Sequence, residues 1–471
     1  MTTDTQHQVG SDIKSPDIER APSPEQGYCD KLPEQTEVFN DTEDGVKYRT
    51  VGWIKASVIF IKILFAVGVL SIPTAMYTLG AVGGSLNVVG WGAFNTYVAV
   101  ILGNFRLRHR GCHSIADMAE VVGGKVTKEI VGLLFIIAYV LSAGAVIVGI
   151  SVGLNTLSHH AACTVWWAFL AAAVVAVVAS IRKLNQLGWL TYLGCGSIFV
   201  AVLTVVIAVT QRDRPAAAPQ TGDYEFGFNA IAYPSFTAGV VATCTIFYSS
   251  SATSAFLPVM AEMKRPEDYR KSLYLCMGFV TSSYLCFSLV VYRWCGKWVA
   301  SPSLGSAGQT IKMVAYGIGL LGLVISASVY MHLAAKYIFV RLLRNTRHLQ
   351  QNTVVHWVTW LTCTFGLALI SFVCAEAIPI FNYLNALAGS LCFAPLSMVL
   401  PAWLWLYDHS SFKTGTVTQQ LMYWAHVFLI PFGFFFIIGG TYGVGLQIRD
   451  AYAYGTIKPA FSCADNSNYG G

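Results

Sequence analysis

Residues 65–73 read Phe65-Ala66-Val67-Gly68-Val69-Leu70-Ser71-Ile72-Pro73, and residues 247–258 read Phe247-Tyr248-Ser249-Ser250-Ser251-Ala252-Thr253-Ser254-Ala255-Phe256-Leu257-Pro258. Each is a small or polar stretch, then a short apolar one, then proline, set inside a run otherwise apolar enough to cross a bilayer. Gly68 permits non-helical backbone. Pro73 disfavours the α conformation at Ile72, so a helix restarts near that point with Ser71 as its N-cap. In the second stretch five of the six residues 249–254 carry hydroxyls, which compete with the helix for main-chain hydrogen bonds. Pro258 fits the first turn of a restarted helix. This reading predicts two spans that unwind at membrane depth. The alternative is a pair of ordinary Pro/Gly kinks repaired by neighbouring helices.

The surrounding sequence sets the class. Of 471 residues, 55% are hydrophobic and only 11% are charged, with a mean hydropathy of +0.56. A soluble protein needs about twice that charged fraction to cover its surface. A soluble enzyme, a disordered scaffold and a nucleic-acid binder are therefore excluded. A membrane helix needs about 20 mostly apolar residues. Eleven such spans are expected, at 53–78, 81–105, 129–156, 164–181, 188–210, 236–262, 272–292, 312–333, 354–376, 380–406 and 421–446. The fold class is thus an all-α polytopic membrane protein of 11 transmembrane helices. Breaks in the first and sixth spans imply a 5+5 inverted repeat plus one helix, an arrangement that places a transport site at the breaks. Unwound backbone survives at membrane depth only where it is buried in protein or lines a wet cavity. A helix restart offers free N–H groups to a carboxylate, and the preceding half-helix offers carbonyls to an ammonium or a cation. Together they recognise a zwitterion without a charged side chain.

Charge and cysteine placement give topology. With the N-terminus in the cytoplasm, sixteen Lys and Arg fall in inner loops and seven outside, as the positive-inside rule requires. The C-terminus is then expected outside. The domains expected are an acidic cytoplasmic tail, 1–50, a transporter domain, 51–449, and a short outer C-tail, 450–471. The tail holds eleven Asp and Glu against five Lys and Arg, and such a segment cannot bury enough surface to order itself. Ser15-Pro16 and Ser23-Pro24 offer a kinase proline-directed sites, and Lys14 or Lys31 offers a ubiquitin ligase an acceptor. A plain solvated tail is the alternative. Most cysteines are apolar filler in the spans. Cys163, Cys295 and Cys463 fall in outer loops, where a disulfide among them is open and its pairing unread.

Gly68-Val69-Leu70-Ser71-Ile72-Pro73 resembles the G-[ILV]-L-x-[IL]-P element of the amino acid/auxin permease family. Leu257-Pro258-Val259-Met260-Ala261-Glu262-Met263-Lys264-Arg265-Pro266 resembles that family's sixth-span exit. The acidic tail, eleven spans and basic inner loops extend the resemblance over essentially the whole chain. It implies a fold like that of the bacterial leucine transporter, alternating access, and proton-coupled symport of neutral and aromatic amino acids. The sequence does not name the organelle; the plasma membrane is the location expected and the vacuole the alternative. Carried over by residue, it implies a substrate site formed by Ala66, Val67, Gly68, Val69, Leu70 and Ser71 of the first span and by Phe247, Tyr248, Ser249, Ser250 and Ser251 of the sixth. Tyr139 and Ser142 on the third span, and Ser326 and Ser328 on the eighth, are candidates for the facing wall. Ordinary helix–helix polar packing is the alternative for these four.

Ionisable residues at membrane depth are coupling or gating candidates. They are Lys62, Glu262, His332 and Glu376. Lys62 either snorkels inward beside Lys55 or sets the charge state of an inner gate. No cofactor or metal is expected. The coupling ion implied is the proton, and sodium, held by carbonyls of spans one and eight and the Ser326 hydroxyl, is the alternative. An integral-membrane enzyme is disfavoured because no HExxH, GxSxG or P-loop pattern occurs. A non-transporting sensor on the same fold is the remaining rival.

Overall fold

The computed structural model describes residues 49–467, apart from Lys183, Asn345, Gln350, Asn352, Thr456 and Ile457 and the side chains of 184–188. The N-terminal tail, with its phosphorylation and ubiquitin candidates, lies outside the described residues. Among the described residues the chain is helical, and its one β pairing is an isolated bridge between Val51 and Met263.

The first two spans form one assigned helix, Trp53–Arg108, turned at Gly80 (φ 77°, ψ 164°). A Cβ at Gly80 would lie 2.6 Å from the Ala232 nitrogen, and the positive φ favours glycine in any case. The N–H groups freed by this turn are satisfied by the loop before the sixth span: Ala81 N–H donates to Asn229 O (3.0 Å) and Val82 N–H to Ala230 O (2.9 Å). The next helix, Ile115–Ser158, opens with a capping box between Ser114 and Asp117. It turns at Gly124 (φ 73°), so residues 115–123 form a short amphipathic piece ahead of the third span. The remaining spans are Thr164–Ala179, Leu184–Thr210, Phe236–Ala261, Tyr269–Cys295, Gln309–Leu343, Val354–Ala377, a bent pair Phe381–Phe393 and Pro395–Asp408, and Val417–Ala453. With the two spans on either side of Gly80 and the third span, this makes the eleven expected.

Two groups of helices organise the interior. Spans 1, 2, 6 and 7 pack on one another, and spans 3, 4, 8 and 9 on one another, with span 5 lying on span 8. Bulky apolar side chains such as Leu86, Trp189, Phe428 and Ile438 stay exposed on the outside of the bundle, as a lipid-facing surface requires. The eighth span runs about ten residues past its expected end, to Leu343. The last helix runs to Ala453, into the expected C-tail.

The breaks differ from expectation. The sixth span is interrupted: Phe236–Ser251 gives way to a 3₁₀ turn, Ala252–Ala255, before Phe256–Ala261. The first span is not, and residues 65–73 stay helical. Ser71 does not cap a new helix; its hydroxyl donates back to Val67 O (3.1 Å) and Gly68 O (3.2 Å). Pro73 removes only one donor, and neighbouring hydroxyls meet the main-chain carbonyls nearby. A bend of 42° between 393 and 395 in the tenth span had no counterpart in the expectation. Pro395 opens the second of two π-helical stretches, Ala388–Phe393 and Pro395–Val399, and Pro401 sits just beyond them in the first turn of the helix Leu400–Asp408, where a missing donor costs least.

Candidate functional site

The centre of the molecule is built where the continuous first span meets the interrupted sixth. Ala66, Val67, Val69, Leu70 and Ser71 are all buried. Gly68 faces the seventh and sixth spans so closely that a Cβ there would lie 2.1 Å from the Tyr284 oxygen and 2.8 Å from Ser249 Cβ. The Tyr284 hydroxyl lies 2.6 Å from Leu64 O and 3.0 Å from Ser249 O. A phenol has one proton, so two carbonyls from two spans share one donor. One residue earlier on the first span, Ile63 O accepts from Tyr330 of the eighth span at 2.5 Å. On the sixth-span break itself, Tyr139 reaches Ala252 O (3.4 Å) and the Ser254 hydroxyl (3.1 Å). The main-chain acceptors expected to meet an ammonium are therefore met in this conformation by tyrosine hydroxyls.

The hydroxyl-rich stretch divides by direction. Ser249 Oγ donates to Thr245 O (2.9 Å). Ser250 Oγ accepts from Asn95 of the second span (2.9 Å), and Ser251 O accepts from Ser397 of the tenth (2.6 Å). Tyr248 packs on Phe393 of the bent tenth span, ring centroids 5.5 Å apart, while Ser142 Oγ donates within its own span to Ala138 O (2.8 Å). Phe247 points elsewhere: it packs edge-on between Trp91 and Phe436, at 4.9 and 5.8 Å, toward spans 2 and 11. Ser328 donates to Val324 O (2.8 Å) and lies 3.3 Å from Val175 O, which makes it a packing contact with span 4. Ser326 Oγ and Thr253 Oγ1 are buried with no hydrogen-bond partner among the described residues. Polar atoms left in that state inside a fold mark positions where a water, ion or ligand completes the bonding.

The ionisable candidates separate in the same way. Lys62 does not snorkel. It is buried, and its ammonium donates to Gly322 O of the eighth span (2.7 Å) and Gly194 O of the fifth (3.1 Å). A Cβ at Gly322 would meet Gly194 O at 2.8 Å and one at Gly194 would meet Lys62 Cε at 3.0 Å, so both glycines keep the carbonyls within reach of the ammonium. Glu262 forms a buried ion pair with Lys336 of the eighth span. Beside it, Val51 N–H donates to Glu262 O (3.0 Å) and Lys264 N–H to Val51 O (2.9 Å). His332, one turn before Lys336, is fully buried with Nδ1 3.3 Å from Ala179 O. Glu376 lies far from these groups, in a small cavity with Ser151, Lys458 and Asn466.

Cavities flank the centre on both faces. One of about 290 Å³ reaches Phe135, Pro258, Leu333 and Lys336 on the face where the first span begins. Phe135 stacks against Tyr139 at 4.7 Å, which closes it from the break. At its mouth Asp117 accepts from the His113 and Ser114 N–H groups and from Arg344, at 3.0–3.1 Å. His113 is buried there in the loop after the second span, and burial, aided by Lys336, pushes its imidazole down to about 3. On the opposite face a cavity of about 140 Å³ is lined by Thr74, Thr245 and Asn382, one turn from Leu70 and Ser249. Asn382 donates to Thr74 at 2.6 Å. Tyr284, Tyr330, Asn95 and Lys336 were not among the expected site residues, since each meets its partner on another span and no local pattern marks it.

The model of the transmembrane amino acid transporter protein family matches residues 49–446. The chain belongs to that family. Relatives include a transmembrane transporter of Gibberella moniliformis, 49% identical over 93% of this chain and 92% of its own length. The N amino acid transport system protein of Neurospora crassa is 30% identical over 93% of this chain and 92% of its own length. Among solved structures, MhsT in complex with L-phenylalanine superposes with a TM-score of 0.50, 12% identity, 84% of this chain and 97% of the other. A Na⁺-coupled sialic acid symporter superposes with a TM-score of 0.53, 10% identity, and coverages of 88% and 91%. The transporter thus has the leucine-transporter-like fold anticipated from its sequence, and its relatives are transporters rather than enzymes. Lys62, Tyr330, Tyr139 and the Glu262–Lys336 pair all tie one helix group to the other.

Proposed function

We propose that the transporter takes up neutral amino acids by alternating access, with protons as the coupling ion. Its N-terminus lies in the cytoplasm and its C-terminus outside, in the plasma membrane. The observation that carries the coupling is Lys62. A buried ammonium is costly unless well bonded, and this one is seated between two main-chain carbonyls on spans 5 and 8. Such a carbonyl pair suits a monovalent cation, and here a cation is supplied by the chain itself. Loss of its proton would free both carbonyls and release the first span from spans 5 and 8, so protonation and helix-group movement are linked at one atom.

The substrate class rests on the groups around the centre. Gly68, Ser249, Thr253, Tyr139, Tyr284, Tyr330 and Ser326 are uncharged, and a charged substrate side chain would be left there unpaired. The aromatic rings of Tyr139, Tyr248 and Phe393 favour apolar or aromatic side chains. The Neurospora relative is named as an amino acid transport system, and the structural neighbour MhsT holds L-phenylalanine, an uncharged aromatic amino acid. The orientation is supported by the excess of cations in the N-terminal-side loops and by the disulfide on the other face. The acidic tail is the proposed site for a kinase or ubiquitin ligase.

Proteoliposomes offered labelled neutral amino acids test this reading. Accumulation driven by an inward proton gradient, without sodium, is expected. Accumulation that requires sodium and ignores pH would overturn the coupling, and saturable binding without flux would favour a sensor.

A further inference from the structure

We propose that residues 458–467 act as an intramolecular strap that holds spans 3, 4 and 8 together on the face away from the N-terminus. The segment is fixed at four points. Cys463 is joined to Cys163, in the loop between spans 3 and 4, across a sequence separation of 300 residues. Asn466 is buried: its side-chain oxygen accepts from Asn155 Nδ2 (2.8 Å) and its nitrogen donates to Ser151 Oγ (2.9 Å), both on span 3. Thr164, the first residue of span 4, donates to Ala464 O at 2.7 Å. Lys312, near the start of span 8, donates to Ser467 O, and the Asp465 carboxylate lies close enough to act on that ammonium. Phe461 adds an edge contact with Phe372 of span 9, at 6.2 Å.

These contacts serve groups that the helices do not satisfy for themselves. Asn155 is fully buried, and its amide nitrogen has two acceptors, Thr164 and Asn466. Removing Asn466 leaves one buried Asn155 amide N–H without its acceptor, while the Ser151 hydroxyl keeps its bond to Val148 O (2.9 Å). The disulfide closes a long loop, where a cross-link restricts the unfolded chain most. Every polar anchor of the strap lies on spans 3, 4 and 8, which belong to one of the two helix groups. It therefore stiffens one side of the pathway without fastening it to the other. The proposal depends on neither the substrate nor the coupling ion, so failure of the transport reading leaves it standing.

Hydrogen exchange on the purified full-length protein tests it. Cys463 is exposed, so an impermeant phosphine can reach the disulfide, taking up one water and leaving two thiols and the phosphine oxide. Maleimide mass shift under denaturing conditions counts those thiols. After complete reduction, amides of 151–166 and 309–316 are expected to exchange about tenfold faster, while spans 1, 6 and 7 hold their rates. The unfolding midpoint is expected to fall by roughly 5 °C. Asn466→Ala, with the disulfide kept, gives the same local pattern at smaller size. Unchanged exchange after complete reduction overturns the proposal, and so does an even rise across all spans.

Discussion

Gly68 and Tyr284 are packed so closely that no other residue type can occupy position 68 without displacing the phenol: an added Cβ would lie 2.1 Å from its oxygen. The phenol is the sole donor shared by Leu64 O and Ser249 O, so displacing it uncouples spans 1, 6 and 7 at one point. Gly68→Val is expected to abolish uptake while leaving the protein inserted in the membrane. Tyr284→Phe keeps the ring and removes the hydroxyl, and is expected to cost about 0.5–1.5 kcal/mol of stability through the lost hydrogen bond to Leu64 O and Ser249 O. Thermal unfolding and uptake of the two variants check this. Normal uptake by Gly68→Val removes the centre from its present place.

The Glu262–Lys336 pair closes the N-terminal-side cavity from spans 6 and 8. Both side chains are nearly inaccessible. Glu262→Gln alone takes the carboxylate away from a buried ammonium and is expected to destabilise the protein by about 3–5 kcal/mol, whereas Glu262→Gln combined with Lys336→Met restores most of that loss. A double-mutant cycle by thermal unfolding reads the difference. A double variant that loses as much as Glu262→Gln and Lys336→Met added together would show that the pair carries no coupling.

His113 gives a pH effect of known sign. Its imidazole is held near 3 by burial, against an ordinary value of 6.5. The native state therefore resists a proton that the unfolded chain accepts below 6.5. Stability is unaffected by this group above that value and falls as pH drops from about 6.5 toward 3. His113→Asn is expected to flatten that part of the stability profile without altering it at pH 8. An unchanged acid limb in the variant would contradict this.

Ser326 carries a buried hydroxyl without a partner among the described residues. Ser326→Ala therefore costs little or no stability, since the group lost is unpaired in the fold. If the hydroxyl meets substrate or its water, KM rises roughly five- to tenfold, the loss of one hydrogen bond of about 1–1.5 kcal/mol. An unaltered KM would reduce Ser326 to packing.

The fold was legible because its signals are repeated and strong. Each span is a long apolar run, and the loop cations favour one face. The sixth-span break was legible for a local reason, since five hydroxyls in six residues act on their own backbone. The first-span break was misread because Gly and Pro only permit a break. Whether the helix opens depends on donors from other spans, and the hydroxyls of Tyr284 and Tyr330 are far away in sequence. The same limit applies to Phe247, placed in the site by its neighbours in sequence but turned toward Trp91 and Phe436 by helical geometry. Lys62 was recognised as out of place, yet its two carbonyl partners are 132 and 260 residues distant. The Cys163–Cys463 pairing joins loops that no spacing rule connects.

The proton claim converges on one ammonium, so one comparison tests it most directly. Proteoliposomes holding wild type or Lys62→Met are given labelled neutral amino acid, without sodium, at equal pH and with an inward proton gradient. Wild type is expected to accumulate substrate above equilibrium only with the gradient, and Lys62→Met to equilibrate substrate at the same rate under both conditions. A Lys62→Met protein that still concentrates substrate in response to the gradient would contradict the account.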